Sequence, residues 1–320
     1  MNNQTKIVLI TGANSGIGIE AAAQFAEAGY GTIILACRTL QKAETAQKKL
    51  VQRVGKDVFE GLAIDVAEKD SALTAAKELQ SRGHQLDVLV LNAAMSAGKK
   101  PLFNADGIEM TFASSLIGHH VLTMSLLNNG QLVPDAHIII AGSEGARNDV
   151  PGMSVLDFNK FAVKHFDGNL EKAHEAVWKI QSPYKFKALD TYVTSKVYVA
   201  WWSEVLADKL PAGMIVNTVS PGSVPDTNFA RHQTGLMKYM MPMMKLMPKS
   251  MGMAGSVAQG ARRYVDAVQL GANTNGKFFG SPPRKLVGKL QVQTTPHFYD
   301  QKNQQASWNM LTRLTGISLN

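Results

Sequence analysis

The sequence predicts an α/β fold built on one doubly wound parallel sheet. Short apolar runs rich in Val, Ile and Leu alternate with longer segments of helical pattern. The runs lack the polar alternation of a sheet with one solvated face, so each strand is expected to be buried on both faces. A glycine-rich loop also joins the first run to the first helical pattern, as is typical of a tight turn from strand to helix.

The first four elements follow from residue type. Residues 7–10 form an uninterrupted apolar run, which predicts a buried strand. A helix is predicted over residues 16–28, directly after the glycines. The β-branched run over residues 32–36 predicts a second strand, and the charged segment over residues 40–54 predicts a second helix.

The same alternation continues along the chain. Further strands are predicted at residues 59–64, 88–91, 137–141 and 214–219. Further helices are predicted around residues 71–81, 107–127 and 191–210. Strands that alternate with helices in this way predict a parallel sheet with helices on both faces.

Two segments interrupt the repeat. Residues 148–185 join a predicted strand to a predicted helix, where a short loop is usual. Residues 223–253 are rich in Met, Pro and Gly. Both follow the carboxyl ends of predicted strands, where open α/β sheets bind ligands. We therefore expect one domain over residues 1–280 that carries both segments, with residues 281–320 as a C-terminal extension packed on it.

Composition argues against several classes of protein. Of the 320 residues, 45% are apolar and 18% charged, as in ordered globular proteins. The net charge of +8 is scattered rather than gathered into the basic stripe of a nucleic-acid-binding protein. The single cysteine excludes an intrachain disulfide. Because the chain starts without a secretory signal and has no run of the ~20 apolar residues that span a bilayer, we expect a cytoplasmic protein without a membrane span.

The loop after the first strand has the residue types of a phosphate-binding turn. It consists of Thr11, Gly12, Ala13, Asn14, Ser15, Gly16, Ile17 and Gly18. Glycines let backbone amides approach a pyrophosphate, toward which the following helix directs its positive N-terminus. A strand-to-helix turn without a ligand would use the same residues.

Five further motifs follow in order. They are Asp65-Val66, Asn92-Ala93-Ala94, Ser143, Tyr192-x-x-x-Lys196 and Pro221-Gly222. With the loop pattern Thr-Gly-x-x-x-Gly-x-Gly, the set resembles the short-chain dehydrogenase/reductase family over about residues 5–280. The resemblance is to its carbonyl reductase, retinol dehydrogenase and protochlorophyllide reductase members. It implies a Rossmann fold that binds a nicotinamide dinucleotide.

The resemblance also implies where the cofactor lies. The implied contacts are Gly12, Asn14, Ser15, Gly16, Ile17, Gly18, Arg38, Asp65, Val66, Asn92, Ala93, Tyr192, Lys196, Pro221, Gly222 and Thr227. An acid at the end of the second strand would bind a ribose 2′-hydroxyl, but this chain has Cys37-Arg38 there. Arg38 can pair with a 2′-phosphate, with Lys42 assisting, so NADP(H) is favoured over NAD(H). The alternatives are that Arg38 is only a solvated surface charge and that Cys37 is redox-active rather than a packing residue.

Tyr192 and Lys196 are the predicted proton-transfer pair. Because they are four residues apart on a helix, their side chains share one face, although a surface helix with a snorkelling lysine has the same spacing. A nearby ammonium favours the phenolate and is expected to lower the phenol pKa below ~10. Tyr192 would exchange a proton with a carbonyl or alcohol oxygen that Ser143 holds by a hydrogen bond. The resemblance implies that Lys196 also anchors the nicotinamide ribose, and no metal ligand is assigned.

Three departures from the family pattern bear on the site. Ser115 stands where the family has its fourth catalytic residue, an Asn; a serine can bond back to a helix carbonyl and preserve a bend. Ala94 replaces a glycine near the cofactor, and the Thr expected after the Pro-Gly motif arrives one residue late, as Thr227. His119 and His120 follow the Ser115 motif and are expected to pack or to face solvent.

The Met-rich segment is interpreted as a substrate lid. Eight of the chain's 15 methionines lie between residues 237 and 253. Unbranched thioethers adapt to varied apolar partners, and in the family this segment covers the substrate, so we expect a mobile lid over a bulky apolar molecule. A packed helix or a dimer contact is the alternative. A membrane-surface helix is disfavoured because Pro242 and Pro248 interrupt it.

The sequence thus predicts an NADP-dependent oxidoreductase that transfers hydride between NADP(H) and a carbonyl or alcohol. Two alternatives stay open. Ser115 in the Asn position would suit a catalytically weak NADP(H)-binding sensor or scaffold. A carbon–carbon double-bond reductase is the other, although the characteristic substrate-site cysteine of those members has no counterpart here. The expected partners are a small-molecule substrate and, as is common in the family, a second or further copies in a homodimer or homotetramer.

Overall fold

The structure of the protein, a computed structural model, describes residues 3–96, 98–224 and 254–319. Thr227 and nearly all of the predicted Met-rich lid lie outside these ranges. The prediction of a lid and of a cofactor contact at Thr227 therefore falls outside the described residues.

In the described part of the chain, eight strands form one sheet in the order β3-β2-β1-β4-β5-β6-β7-β8. The strands are β1 Ile7–Thr11, β2 Thr32–Cys37, β3 Phe59–Ala63, β4 Leu86–Leu91, β5 Leu132–Ala141, β6 Ile215–Val219, β7 Phe278–Gly280 and β8 Gln291–Val292. The pairs from β3 through β7 are parallel, and β8 runs antiparallel to β7. Because the strand order reverses between β1 and β4, the predicted doubly wound fold is confirmed.

Helices cover both faces of the sheet. They are α1 Gly16–Glu27, α2 Leu40–Val54, α3 Lys69–Ser81, α4 Met110–Asn128, α5 Phe158–His165, α6 Leu170–Trp178, α7 Ala188–Ala207, α8 Val257–Ala267 and α9 Gln301–Thr315. Local residue types fix several of the boundaries. The Thr39 side chain caps the start of α2, and Gly55 ends that helix in the left-handed region at φ 71°. Ser256 and Gln259 form a reciprocal capping box at the start of α8.

Two apolar cores lie on opposite faces of the sheet. Helices α1, α2 and α8 pack over Val8 and Ile10 of β1, and helices α3, α4 and α7 pack over Leu9 of the same strand. Successive residues of a strand point to opposite faces, so the strand needs apolar residues at every position. This explains why the strands read as uninterrupted apolar runs.

The segment between β5 and α7 contains helices α5 and α6, which pack together, and α9 packs on α6 and α7. An aromatic cluster joins these elements. Phe158 of α5 lies 4.4 Å from His174 of α6 and 5.5 Å from Tyr198 of α7, measured between ring centroids. Aromatic pairs at such distances stabilise beyond the area that they bury. The predicted break in the βα repeat is therefore a small helical layer on one side of the fold.

Helix α4 has the length and apolar composition that a membrane-crossing helix needs, and 89% of its most apolar window is buried inside the protein. Core helices of ordinary folds pass the same test of composition. As an indication of a membrane span, α4 is weak.

Gly118 lets α4 approach the segment after β3. Its N–H donates to Val66 O at 2.9 Å, and a Cβ at this position would lie 2.6 Å from that oxygen. We expect Gly118→Ala to lower the free energy of unfolding by about 1–3 kcal/mol, because overpacking against backbone outweighs the ~1 kcal/mol gain in helix propensity. Urea unfolding followed by circular dichroism measures the change. A midpoint equal to or above that of the wild type would contradict this expectation.

Candidate active site

The predicted motifs lie at one edge of the sheet. Because strands β1 to β7 are parallel, their carboxyl ends share this edge, and each motif loop begins there. Helix α7 also contributes to this edge. Its Lys196 Nζ donates to the carbonyl oxygen of Ala141, the last residue of β5, at 2.9 Å. The glycine loop, Ser143 and the Tyr192/Lys196 pair are thereby brought to a common region.

The glycine loop turns sharply from β1 into α1. Gly12 and Gly16 have φ angles of 69° and 55°, which residues with a side chain rarely adopt. A Cβ on Gly18 would lie 2.3 Å from Gly12 O and 2.7 Å from Asn92 Nδ2. Ser15 precedes the first residue of α1 as its N-cap. Bare backbone beside a helix N-terminus fits the pyrophosphate of a dinucleotide, so the residues present suit the cofactor that the motifs imply.

Hydrogen bonds tie the loop after β1 to the loop after β4. Thr11 Oγ1 accepts the N–H groups of Asn92 and Ala93, both at 2.9 Å. In return, Asn92 Nδ2 donates to Thr11 O at 2.9 Å. Asn14 and Ile17 lie just beyond, in the turn and in the first turn of α1. The two motif loops therefore form one continuous wall of the site.

Arg38 directly follows β2, at the same edge of the sheet as the glycine loop. Its Nε is 3.5 Å from Asp65 Oδ2, and its side chain is 60% exposed. Asp65 also accepts the N–H of Ala67 at 3.1 Å, which orders the loop that begins with Asp65 and Val66. An exposed ion pair of this kind contributes little, about 0–1 kcal/mol, so Asp65 does not withhold the guanidinium from a second anion.

Cys37 is the residue before Arg38 and is buried at the end of β2. Burial raises the pKa of its thiol to about 11. A buried, protonated thiol is a packing group rather than a nucleophile, in agreement with the interpretation that we favoured from the sequence.

Ser143 and Tyr192 lie together in the candidate site. Ser143 precedes a short 3₁₀ helix, Glu144–Arg147, and its Oγ accepts the N–H of Gly145 at 3.3 Å. The Ser143 side chain also hydrogen-bonds the Tyr192 phenol. Both residues keep partial access to solvent, whereas residues 193–203 behind them are buried. Tyr192 is therefore more accessible than the stretch of α7 that follows it.

Lys196 lies one helical turn after Tyr192 and is 3% exposed. Its Nζ is 6.0 Å from the centroid of the Tyr192 ring, on the same face of α7. Burial lowers the pKa of the ammonium to about 8. The charged form thus predominates at neutral pH and is lost in mildly alkaline solution.

The pKa of Tyr192 is shifted in the direction opposite to the one expected from the sequence. Burial raises it, the Ser143 hydrogen bond acts against that rise, and the Glu144 carboxylate adds to it. The Lys196 ammonium donates to Ala141 O rather than to the phenol, so its charge does not reverse the effect of burial. In this structure the phenol is a proton donor at neutral pH.

Ser115 lies in a π-helical turn, Ala113–Ile117, inside α4. Its Oγ is buried, and among the described residues no hydrogen-bond partner lies within reach of that atom. The expected bond back to a helix carbonyl is therefore wrong. The irregularity of the helix at this point is the π turn itself, and no serine back-bond accompanies it.

A buried ion pair lies directly behind Ser143. Glu144 is 3% exposed and accepts hydrogen bonds from the Ser220 hydroxyl, from Arg263 Nη1 at 3.1 Å, and from the N–H and Oγ of Ser281 at 3.0 and 2.8 Å. Arg263 also donates to the carbonyl oxygen of Ser220 at 2.7 Å. Because Ser220 precedes the Pro221-Gly222 motif, this pair holds the motif against the loop after β5.

Glu144 and Arg263 were not predicted from the sequence as site residues. Two features pointed weakly to them. Glu144 comes shortly after a buried strand, and Arg263 lies on the apolar side of α8, so both charged groups need a partner. Their pairing could not be inferred, since the two residues are 119 positions apart and belong to different elements.

Comparison with known proteins gives the family. The chain matches the family of short chain dehydrogenases over residues 6–182. It is 25% identical to a chloroplastic protochlorophyllide reductase of Chlamydomonas reinhardtii, over 98% of this chain and 79% of that protein. It is 27% identical to mouse retinol dehydrogenase 13, over 98% of this chain and 85% of that protein.

A solved structure shares the fold. A short chain dehydrogenase from Burkholderia cenocepacia, in complex with NADP, superimposes with a TM-score of 0.60 at 20% identity, over 87% of this chain and 96% of that chain. With its glycine loop, doubly wound sheet and Tyr192/Lys196 pair, this chain belongs to the short-chain dehydrogenase family of oxidoreductases.

Proposed function

We propose that the protein is an NADP(H)-dependent reductase that converts an aldehyde or ketone into an alcohol. The observation that carries the proposal is the Tyr192 phenol, which is hydrogen-bonded to Ser143 and lies one helical turn from the buried Lys196. Proton donation to an oxygen is the chemistry that such a group offers beside a dinucleotide site.

In the proposed reaction NADPH, when bound, would supply the hydride that the carbonyl carbon accepts. Tyr192 gives its proton to the carbonyl oxygen, so one C–H and one O–H bond replace the π bond of the carbonyl. Ser143 Oγ holds the same oxygen while negative charge develops on it. Lys196, held by Ala141 O, favours the phenolate that remains until a proton returns from solvent.

The protonation state of Tyr192 suits a proton donor. Because burial raises its pKa, the phenol carries its proton at neutral pH and can donate it to a carbonyl oxygen.

Arg38 supports the choice of NADPH. Its exposed guanidinium follows β2, where the 2′ position of the adenosine ribose is expected. We expect Arg38→Gln to lower kcat/KM for NADPH by about 10- to 100-fold, because a charge-assisted hydrogen bond is lost, and to change that for NADH less than about twofold. Steady-state kinetics with both cofactors measures the ratio. Lys302→Gln, an exposed cation on α9, is the control, and an unchanged NADPH to NADH ratio in Arg38→Gln would rule out this role.

A carbon–carbon double-bond reductase is the second candidate. The similarity to proteins named protochlorophyllide reductases over 98% of the chain favours it. The same phenol could protonate carbon in place of oxygen. The single cysteine of the chain, Cys37, is buried at the end of β2 and therefore offers no second acid to a substrate.

A screen of NADPH consumption tests both candidates. Purified protein is incubated with NADPH and a panel of aldehydes, ketones, retinoids and α,β-unsaturated ketones, and the products are identified by mass spectrometry. We expect saturated aldehydes or ketones to be reduced to alcohols. Exclusive reduction of carbon–carbon double bonds would favour the second candidate. NADPH binding without consumption across the panel would refute both and leave a sensor or scaffold.

A further inference from the structure

His119 lies at the centre of a buried chain of hydrogen bonds that joins three parts of the site. Its Nε2 is 3.0 Å from Thr11 Oγ1, the hydroxyl that ties the loops after β1 and β4 together. Its Nδ1 is 3.1 Å from the carbonyl oxygen of Ser115 in the π turn. The imidazole is 1% exposed, so these contacts are made without competition from solvent.

The contacts of Thr11 decide which nitrogen of His119 carries the proton. Thr11 Oγ1 already accepts two N–H groups, from Asn92 and Ala93, so both of its lone pairs are used. Its own hydrogen must go to an acceptor, and His119 Nε2 at 3.0 Å is nearer than Val90 O at 3.5 Å. Nε2 is therefore an acceptor, and Nδ1–H donates to Ser115 O. Burial lowers the pKa of His119 to about 4, so the ring stays neutral.

The π turn also packs against the helix of Lys196, and the Lys196 charge acts on His119. A buried carbonyl that loses its partner is an acceptor without a donor. The hydrogen bond from His119 supplies that donor and so holds the π turn in place beside α7.

We propose that His119 is a positioning residue that joins the cofactor wall to the π turn: its Nε2 holds the Thr11 hydroxyl that ties the loops after β1 and β4, and its Nδ1–H holds the carbonyl oxygen of Ser115. This inference rests on the proposed function, since it assigns a role in cofactor binding. From the sequence alone, His119 was expected only to pack in the core or to face solvent.

His120 is a matched neighbour for the experiment. It is equally buried, but its Nδ1 accepts Trp202 Nε1–H at 3.1 Å, and its Nε2 lies 3.1 Å from Ile317 O, to which it must donate. Two adjacent histidines on one helix therefore carry opposite tautomers. Nitrogen-15 NMR of histidine-labelled protein should show His119 protonated on Nδ1 and His120 protonated on Nε2 between pH 6 and 8, with each signal assigned by its loss in His119→Gln or His120→Gln. An Nε2-protonated His119 would overturn the proposal whether or not any variant folds.

Two substitutions separate the roles. The amide oxygen of Gln can take the place of Nε2, and the amide nitrogen of Asn can take the place of Nδ1. We expect His119→Gln to keep the Kd for NADPH within about twofold of the wild type, because the bond to the Thr11 hydroxyl is retained. We expect His119→Asn to raise the Kd about tenfold, because a lost buried hydrogen bond has that order of effect.

The controls distinguish a failure of this inference from a failure of the proposed function. His120→Gln should lower the melting temperature without changing Kd, kcat or the pH profile. If both His119 variants behaved like His120→Gln, His119 would be a structural residue and the proposal would be wrong. Kd is measured by fluorescence titration and does not depend on turnover. A wild-type protein that neither binds nor oxidises NADPH would refute the proposed function instead, and the tautomers would still be tested by NMR.

Discussion

Tyr192→Phe is expected to lower kcat for carbonyl reduction by about 10²–10⁴-fold, the usual contribution of a positioned general acid. The phenylalanine keeps the ring and removes the only atom that donates the proton. Because the ring packs as before, the Kd for NADPH should stay within about twofold of the wild type. Single-turnover kinetics and fluorescence titration measure the two quantities separately.

Tyr198→Phe is the matched control for this experiment. Tyr198 lies on the same helix, and its hydroxyl is 2.6 Å from His174 Nδ1 in the aromatic cluster, away from the sheet edge. We expect Tyr198→Phe to lower the free energy of unfolding and to leave kcat unchanged. Full turnover in Tyr192→Phe with a reactive aldehyde would remove the basis of the proposed mechanism.

The pH dependence of the wild type follows from the same pair. Tyr192, whose pKa is raised, remains a proton donor through neutral and mildly alkaline pH. Lys196 loses its charge as pH rises through about 8, so reduction should fall above that pH while Tyr192 is still protonated. The rate should be level below it, since both groups are then protonated.

Arg263→Met is expected to produce the largest loss of stability, about 3–5 kcal/mol in the free energy of unfolding. The substitution leaves the Glu144 carboxylate buried without its cation. It also removes donors from Ser220 O, Ser281 Oγ and Gly288 O. Urea unfolding monitored by tryptophan fluorescence gives the value.

The neighbouring residue provides the control. Arg262 forms an ion pair with Asp266 on the outer face of α8, and its side chain is 65% exposed. Arg262→Met should change stability by less than about 1 kcal/mol. Adding Glu144→Gln to Arg263→Met should recover part of the loss, because the unpaired charge disappears. Equal effects of the two arginine substitutions would show that the buried pair does not stabilise the fold.

Much of the fold could be predicted because its signals are local. The strand–glycine–helix unit at β1 and α1 needs only an apolar run, two glycines and a helical pattern, all within residues 7–28. Strand β5 was predicted to start at residue 137, but it begins at Leu132. The first residues were missed because Pro134 and Asp135 are both unfavourable in strands. Strand β7 is three residues long, too short for any periodicity to show.

The chemistry of the site was less predictable than its residue types. Tyr192 and Lys196 were expected on one helical face because their spacing requires it, and they lie there. The direction of the Tyr192 pKa shift depends on burial and on Glu144, neither of which spacing reveals. The partners of His119 likewise come from β1 and the π turn, which only the folded chain brings together.

The buried thiol of Cys37 has a practical consequence for anyone who labels this protein. Burial raises the pKa of the Cys37 thiol to about 11, so the thiol stays protonated at neutral pH, and with 2% of the residue exposed it is out of reach of reagents. Since the chain has a single cysteine, a maleimide dye would find no competing native target. A cysteine introduced among residues 237–253 would therefore report on that segment alone.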